Sequence, residues 1–439
     1  MAKALQGHGL ASAHQPAPEE WVEPASDREP WGLFEVFILI QFLSPALLMF
    51  PGMQVLRMPI RVLPYAFSIF VFMVLFQRRG SSPVPRAQAP GSGWMVLVLA
   101  LLCVNLFHPT TILKSGLAQL AFQLTILGPV FWVMFVPVTT RRLNRILWLC
   151  LICNGLSALV GALQVYMPLV FLPSEFSSNL SQSYLGSLSF EGAHGRLVVR
   201  PPGLSDVPGG AARGAVFSSF LALFFATEKR QGLIWRILLV VVLLVSFFTL
   251  YLTQVRSKFL ILVGAAAVLA FLRIRRGEGM KGLGVVLLVV ASVTLSFSMA
   301  VQVGGEEVSS RYMDMADTGI IESYRKNRGI FLGYTFNHVV WDYPLGAGAG
   351  RWGMMNSYFG RGNHVPSLWA EIQLTGWIYD GGIPMLVLYV GALTELVTGK
   401  RRWVYPVTRE LHFPEKTFAH RVCCVFPMVK SNFIDFPEF

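Results

Sequence analysis

The sequence predicts an all-α integral membrane protein with about ten transmembrane helices. Of its 439 residues, 54% are hydrophobic and only 14% are charged, whereas soluble domains carry about 25% charged residues. The mean hydropathy is +0.55. Apolar runs recur along the chain at lengths near the roughly 20 residues that cross a bilayer as a helix. These observations exclude a soluble globular domain as the main body of the protein.

The apolar runs set the order of the elements. We place transmembrane helices at 33–50, 58–76, 94–108, 117–137, 146–172, 213–227, 233–252, 259–272, 283–302 and 378–398. The chain then divides into a disordered cytoplasmic tail (1–32), five helices (33–172), an exoplasmic loop (173–212), four helices (213–302), a large exoplasmic loop (303–377), the last helix (378–398) and a second cytoplasmic tail (399–439).

The two tails carry separate expectations. The first has no apolar stretch, so no cleavable signal peptide is predicted and the first helix would act as an uncleaved anchor. The second is aperiodic and contains Pro and aromatic residues. We expect it to be a truncated or frameshifted end.

Basic residues predict the orientation. Clusters of Lys and Arg follow every even-numbered apolar run, at 78–86, 141–145, 229–230, 273–281 and 400–402. Because short cytoplasmic connections are rich in Lys and Arg, both termini are predicted to lie in the cytoplasm and the two long connections outside. The same bias accounts for the formal net charge of +12, so nucleic acid is not expected as a partner.

Cysteines and metal motifs give no sign of a metal or redox site. The five cysteines lie in apolar runs (Cys103, Cys150, Cys153) or in the second tail (Cys423, Cys424), which does not suggest a disulfide framework. The exoplasmic segments contain no Asp-x-Asp pair, no HExxH and no Cys-x-x-Cys. We therefore predict a protein that needs no metal or cofactor.

A first basic motif lies just before the sixth helix. Arg200-Pro-Pro-Gly203 and Pro208-Gly-Gly-Ala-Ala-Arg213 form a turn in which Pro and Gly allow the backbone to approach a ligand closely. Two guanidinium groups at the membrane surface can bind a phosphate bidentately. The alternative is that Arg200 and Arg213 anchor lipid headgroups, and the motif alone favours neither interpretation.

A second basic motif joins the seventh and eighth helices. Thr253-Gln-Val-Arg256-Ser-Lys258 is so short a connection that Arg256 must lie at the bilayer edge. An ionisable group at that depth usually faces a cavity or an anion. Two cations within three residues suit a diphosphate, and snorkelling anchors are the alternative.

A third motif, Gly346-Ala-Gly348-Ala-Gly350, lies in the large loop. A turn of small residues can hold an anion through its backbone N–H groups. A tight turn that packs two elements is the more common reason for such a pattern. Gly348 is therefore a secondary candidate.

His364 is the candidate catalytic residue of the large loop. Histidine accepts a proton near neutral pH without strong tuning, although a lone histidine is more often structural. Arg351 and Arg361 lie near it in sequence, and Glu371 and Asp380 are rival bases or partners that orient the imidazole.

The order of these motifs resembles the O-antigen ligase/polymerase family, which consists of bacterial envelope glycosyltransferases in the inner membrane. The resemblance covers roughly 146–398. It implies transfer of a glycan from undecaprenyl diphosphate to a saccharide or lipid A core hydroxyl outside the membrane, beside other polysaccharide machinery. It further implies that Arg200 and Arg256 hold the diphosphate and that His364 acts as general base or as a positioning group.

Two other classes remain open. A transporter or flippase for an anionic lipid-linked or organic solute would use the same arginines without needing a proton acceptor. A structural subunit of an envelope-synthesis complex would use the loops for docking and would tolerate changes at Arg200, Arg256 and His364.

Overall fold

The computed structural model describes most of the chain between residues 31 and 398. The described residues are 31–50, 52–78, 90–136, 140–172, 189–191, 197–205, 209–228, 232–319, 322, 324–325, 329–360, 366–370 and 372–398. The sequence predictions for the two tails, and those at Arg361, His364 and Glu371, lie outside these residues.

In the described part of the chain, ten helices of eleven residues or more follow the order of the apolar runs. They are α1 (Leu33–Leu43), α2 (Arg57–Arg78), α3 (Ser92–Asn105), α4 (Leu113–Trp132), α5 (Thr140–Tyr166), α6 (Ala211–Ala226), α7 (Leu233–Thr253), α8 (Arg256–Arg275), α9 (Gly279–Thr318) and α10 (Gln373–Thr398). The described part is thus overwhelmingly helical, as the sequence predicts.

Short elements fill the connections. Single turns of 3-10 helix lie at Pro45–Met49, Met53–Leu56 and Val133–Phe135, and a π turn at Thr335–Val339. Short helices lie at Pro168–Phe171, Ile330–Tyr334, Val340–Asp342 and Gly353–Phe359. Strands β1 (Ser189–Glu191) and β2 (Leu197–Val199) form an antiparallel pair in which Ser189 faces Val199.

Among the residues that the structure describes, six helices are long and apolar enough to cross a membrane. They are α2, α5, α7, α8, α9 and α10, whereas α1, α3 and α6 are apolar but shorter. Large apolar side chains cover the outer faces; on α7, for example, Ile234 is 75% exposed and Ile237 is 54% exposed. Exposed apolar surface of this extent is typical of a lipid-facing surface. The chain is therefore an α-helical membrane protein, while the count of ten crossings stays a prediction.

Helix α6 is the centre of one half of the bundle. Nearly all of its residues are buried, and it packs against α5, α7 and α8. Small residues permit the close approach: a Cβ on Gly214 would lie 2.9 Å from the Asn154 carbonyl oxygen of α5. A helix enclosed in this way is buried on every side, which fits the small and apolar residues that make up most of α6.

The other half of the bundle contains α1 to α4 and α10. Trp132 at the end of α4 is fully buried, with edge-to-face contacts to Phe34 and Phe37 of α1. Helix α10 packs against α3. In that pair, Gly91 before α3 approaches Ala392 of α10, and Asn105 at the end of α3 bonds to the backbone of Asp380. The two helices are therefore antiparallel.

Charged pairs mark one end of the bundle, which we call the ion-pair end. Buried Glu35 accepts hydrogen bonds from Arg142 at 2.9 and 2.6 Å. Arg273 at the end of α8 bonds to Glu228 after α6 and to Glu278 before α9. Hydrogen bonds from Lys281 and then Arg273 lower the pKa of Glu278 to about 2. These bonds tie three helix ends together on the face where the sequence places its basic clusters.

The opposite end, which we call the loop end, carries residues 106–112, 200–205, 209–210, 254–255 and 343–352. Two helices bend near it at glycines. Gly305 interrupts α9 with φ 65° and ψ −157°, and Gly381 and Gly382 interrupt α10. Helix α9 thus continues past residue 302, the predicted end of the ninth transmembrane helix, and α10 begins five residues ahead of the predicted start at 378.

Candidate functional site at the loop end

The turn that follows Arg200 is fixed onto helix α5 by side-chain hydrogen bonds. The Gly203 N–H donates to Gln164 Oε1 at 2.8 Å, and Gln164 Nε2 donates back to the Gly203 carbonyl at 2.9 Å. The Leu204 N–H donates to Ser157 Oγ at 3.1 Å. The position of Arg200 is therefore set by two polar residues of a membrane helix.

Gly203 is required by this geometry. Its φ is +64°, and an added Cβ would lie 2.7 Å from both the carbonyl and hydroxyl oxygens of Ser157. Only glycine adopts this conformation without strain. The Pro-Pro-Gly sequence thus shapes the turn that carries Arg200.

The same turn lies against the connection between α7 and α8. The Gly209 N–H donates to the Arg200 carbonyl at 3.1 Å. A Cβ on Gly209 would lie 3.6 Å from Val255 Cγ2 and 3.9 Å from the Thr253 carbonyl oxygen. Two basic motifs separated by more than 40 residues in sequence are therefore neighbours, and Arg256 directly follows the contacted valine.

Helix α6 and helix α8 both begin at this place. Arg273 at the end of α8 approaches Thr227 just after α6, so the two helices run in the same direction. Arg213 lies in the first turn of α6, while Arg256 and Lys258 lie in the first turn of α8. The start of a helix carries partial positive charge. Two helix starts and several partly exposed cations make this region favourable for an anion.

Arg213 also faces the other half of the bundle. Arg213 and Arg61 of α2 both act electrostatically on the Tyr65 hydroxyl, and the Tyr65 ring contacts Phe122 of α4. Ala211, two residues before Arg213, donates its N–H to the Pro201 carbonyl. Arg61 is thus a basic residue of this region that the motifs did not include. The sequence feature that could have identified Arg61 is its position inside an apolar run, where an ionisable residue is costly and is usually functional.

Gln254 has the most unusual geometry at the loop end. Its φ is +57°, and no other non-glycine residue of the described ranges has a positive φ. The residue is 4% exposed. Its Oε1 and Nε2 are both buried and have no hydrogen-bond partner among the described residues. The sequence motif gave this residue no role.

The glycine turn around Gly348 is fastened to the connection between α3 and α4. Thr110 Oγ1 donates to the Ala347 carbonyl at 2.5 Å, and Ser115 Oγ donates to the Gly350 carbonyl. A Cβ on Gly348 would lie 2.5 Å from Thr111 Oγ1. These contacts favour the interpretation in which the turn packs two elements together.

Asp380 lies in the interior and anchors this same turn. Its carboxylate accepts a hydrogen bond from Gln119 Nε2 at 2.6 Å and one from the Gly350 N–H at 3.1 Å. Its own carbonyl accepts from Asn105 Nδ2 at 2.6 Å. The residue is 1% exposed. The geometry therefore indicates a role in holding the break of α10 against α3 and α4.

Arg351 holds the segment that follows His364. Its guanidinium donates to the Ala347 carbonyl at 3.3 Å and to the Pro366 carbonyl at 3.0 Å. The Leu368 N–H donates to the Arg351 carbonyl at 3.1 Å. Arg351 is 7% exposed, and these hydrogen bonds show that it fixes the backbone on both sides of it.

Neither metal geometry nor similarity to known proteins identifies the site. In the part of the chain that the structure describes, no three His, Cys, Asp or Glu side chains lie close enough to hold a metal ion. No family model matches the sequence, and no match was found among curated proteins or solved structures. The function must therefore be argued from the residues at the loop end.

Proposed function

We propose that the protein is a membrane glycosyltransferase of the O-antigen ligase/polymerase type. It would transfer a glycan from undecaprenyl diphosphate to a hydroxyl of a saccharide or of lipid A core, on the outer face of the bacterial inner membrane. The observation that carries the proposal is the close approach of Gly209 to Val255 and Thr253. This approach brings the Arg200 turn next to the connection that carries Arg256.

The proposed transfer requires cationic side chains that stabilise the departing diphosphate. In the transfer, the acceptor oxygen bonds to the anomeric carbon, the bond from that carbon to the phosphate oxygen breaks, and undecaprenyl diphosphate leaves with the bonding electrons. Arg200, Arg256, Arg213 and Lys258 would neutralise the charge on this leaving group, which is commonly the largest electrostatic contribution in such reactions. His364 would take the proton of the acceptor hydroxyl.

The arrangement of the helices supports a reaction at the outer surface. The basic clusters at 141–145 and 273–281 belong to the ion-pair end, and short cytoplasmic connections are rich in Lys and Arg. The loop end, with Arg200 and Arg256, would then face outward. A lipid-linked donor would present its diphosphate at that depth, because its polyprenyl chain stays in the bilayer.

Removal of Arg256 tests the proposal. The purified Arg256→Ala variant, reconstituted in proteoliposomes with lipid-linked glycan extracted from the source cells, should lose transfer by about 10²- to 10³-fold, as when one stabilising donor of a transition state is removed. The readout is the glycan product on a gel. Arg275→Ala, at the other end of the same helix, is the matched control and should behave as wild type.

Two outcomes contradict the proposal. Wild-type amounts of product from Arg256→Ala would remove Arg256 from the site. Movement of the lipid-linked glycan across the membrane by the wild type, with no new glycosidic bond, would identify a transporter or flippase.

A further inference from the structure

We infer that Gln254 recognises a hydroxyl group of the first sugar of the donor, beside the diphosphate held by the neighbouring arginines. The inference rests on the proposed function and adds a specificity residue to it. The observation behind it concerns the side-chain amide of Gln254. This residue has a strained backbone, its amide is buried without a hydrogen-bond partner among the described residues, and it lies where the Arg200 turn approaches the connection that carries Arg256.

The backbone at Gln254 does not call for glutamine. The residue ends α7 in the left-handed conformation, with its N–H bonded to the Tyr251 carbonyl at 3.0 Å. Glycine is the usual residue at such a helix end, because a Cβ is disfavoured in the left-handed conformation. The side chain must therefore have a use other than forming the turn.

The other buried glutamines of the described ranges show what is missing here. Gln164 bonds to Gly203 and Gln119 bonds to Asp380. Gln123 accepts a hydrogen bond from the Tyr389 hydroxyl at 3.1 Å. By contrast, both amide atoms of Gln254 lack a partner in the part of the chain described, and a buried polar group without a partner is destabilising. A ligand that supplied the partners would recover this energy.

The chemistry of the amide selects the ligand. Nε2 donates hydrogen bonds and Oε1 only accepts them. An ionised phosphate offers acceptors alone, so it can satisfy Nε2 but not Oε1. A sugar hydroxyl both donates and accepts, and the first sugar of a lipid-linked glycan is bonded directly to the diphosphate. The group next to Arg256 that completes both halves of the amide is therefore a hydroxyl of that sugar.

The position of Gln254 agrees with this assignment. Val255, which Gly209 contacts, lies between Gln254 and Arg256, and Gly209 bonds to the carbonyl of Arg200. Gln254 thus lies in the same short connection as Arg256 and close to the turn that carries Arg200. Its atoms are covered in this structure, so a ligand reaches them only when neighbouring side chains move aside.

A binding experiment with two synthetic lipids tests the inference. The probes are farnesyl diphosphate and farnesyl-diphospho-N-acetylglucosamine, titrated by calorimetry against the full-length protein in nanodiscs. The wild type should bind the sugar-bearing lipid about three- to tenfold more tightly, the range expected for one net hydrogen bond. Gln254→Met, which keeps the volume but loses the amide, should bind both lipids equally and as tightly as the wild type binds farnesyl diphosphate.

A second variant separates recognition from a structural role. Gln254→Gly relieves the left-handed strain and removes the unpartnered amide, so it should unfold at a higher temperature than wild type while losing the preference for the sugar. If Gln254 instead bonds a buried water or fixes the turn, Gln254→Gly will unfold at a lower temperature and keep the preference. That result would overturn the inference.

The same titrations show whether the proposed function itself fails. Under the inference, Arg256→Ala should weaken binding of both lipids. If the wild type binds neither lipid, the proposed diphosphate site is wrong, and the role proposed for Gln254 is wrong with it. If the wild type and Gln254→Met share the same preference for the sugar, only the role of Gln254 is wrong.

Discussion

At the scale of single residues, the loop end depends on a few polar and glycine positions that are fixed from membrane helices. Gln164 and Ser157 bind the Gly203 turn, and Gly203 has no room for a side chain. Such positions differ from ordinary helix glycines. Gly264 of α8, for instance, has open space where a Cβ would be.

Gly203→Ala should therefore displace the Arg200 turn. The added methyl group would meet Ser157 at 2.7 Å in a conformation that alanine avoids, and the expected loss of stability is about 1–3 kcal/mol. Affinity for farnesyl diphosphate should fall as well. The measurements are thermal unfolding in detergent and calorimetric titration of the lipid.

Gly264→Ala is the matched control. It should leave lipid binding unchanged and keep or raise the unfolding temperature, because alanine is the better helix former. Equal behaviour of the two variants would show that the Arg200 turn is not held as described.

At the scale of the elements, helix breaks and their anchors decide where the loops lie. The break of α10 at Gly381 and Gly382 leaves backbone groups outside the helix ladder, and the Ile383 N–H donates to the Pro344 carbonyl at 2.9 Å. Asp380 directly before the break binds Gln119 and the Gly350 N–H. The large loop is thus attached to α3, α4 and α10 before it reaches His364.

Asp380→Ala should destabilise the protein by about 2–4 kcal/mol, because it leaves the buried donors of Gln119 and Gly350 without an acceptor. Asp380→Asn should be tolerated, since its carbonyl can still accept from Gly350 and its amide can donate to a reoriented Gln119. Both variants are compared by thermal unfolding and glycan transfer, with Thr394→Ala on the exposed side of α10 as control.

The Asn variant also decides between the two roles of Asp380. Normal unfolding with normal transfer is the result expected of an anchor. Normal unfolding with transfer abolished would show that Asp380 is the proton acceptor considered in the sequence analysis.

At the scale of the whole molecule, the two ends of the bundle differ in chemistry. The ion-pair end joins helices through Glu35, Arg142, Arg273 and Glu278. The loop end gathers glycine turns and partly exposed cations. Between them the outer helix faces are apolar, which fixes the protein across a bilayer but does not by itself say which end faces outward.

Cysteine labelling should assign the two ends. With the native cysteines replaced by serine, Leu345→Cys at the loop end should react with an impermeant maleimide on intact spheroplasts, because Leu345 is 70% exposed. Arg276→Cys at the ion-pair end should react only after the membrane is permeabilised. The reverse pattern would place the arginine turns in the cytoplasm, where the proposed transfer could not occur.

The sequence predicted the helical membrane architecture because hydrophobicity and charge can be recognised in short stretches of sequence. Apolar length and composition predicted an α-helical membrane protein and the order of its apolar helices along the chain. Helix ends were less well predicted, as at the start of α10, since glycine breaks depend on partners elsewhere. Gln254 and Asp380 could not be interpreted from sequence alone. Gln254 is distinguished by the hydrogen-bond partners that its amide lacks among the described residues. Asp380 is distinguished by distant partners such as Gln119, which is 261 residues away in sequence.

The sequence by itself determined that this is a helical membrane protein with basic turns next to its helices, because hydrophobicity and charge are properties of short stretches. Only the tertiary structure decided that the Arg200 turn approaches Val255, that the buried Asp380 carboxylate binds Gln119 and Gly350, and that the buried amide of Gln254 has no hydrogen-bond partner among the described residues. Those facts depend on contacts between residues tens to hundreds of positions apart. No local pattern encodes them, since each contact is selected by the packing of the whole bundle.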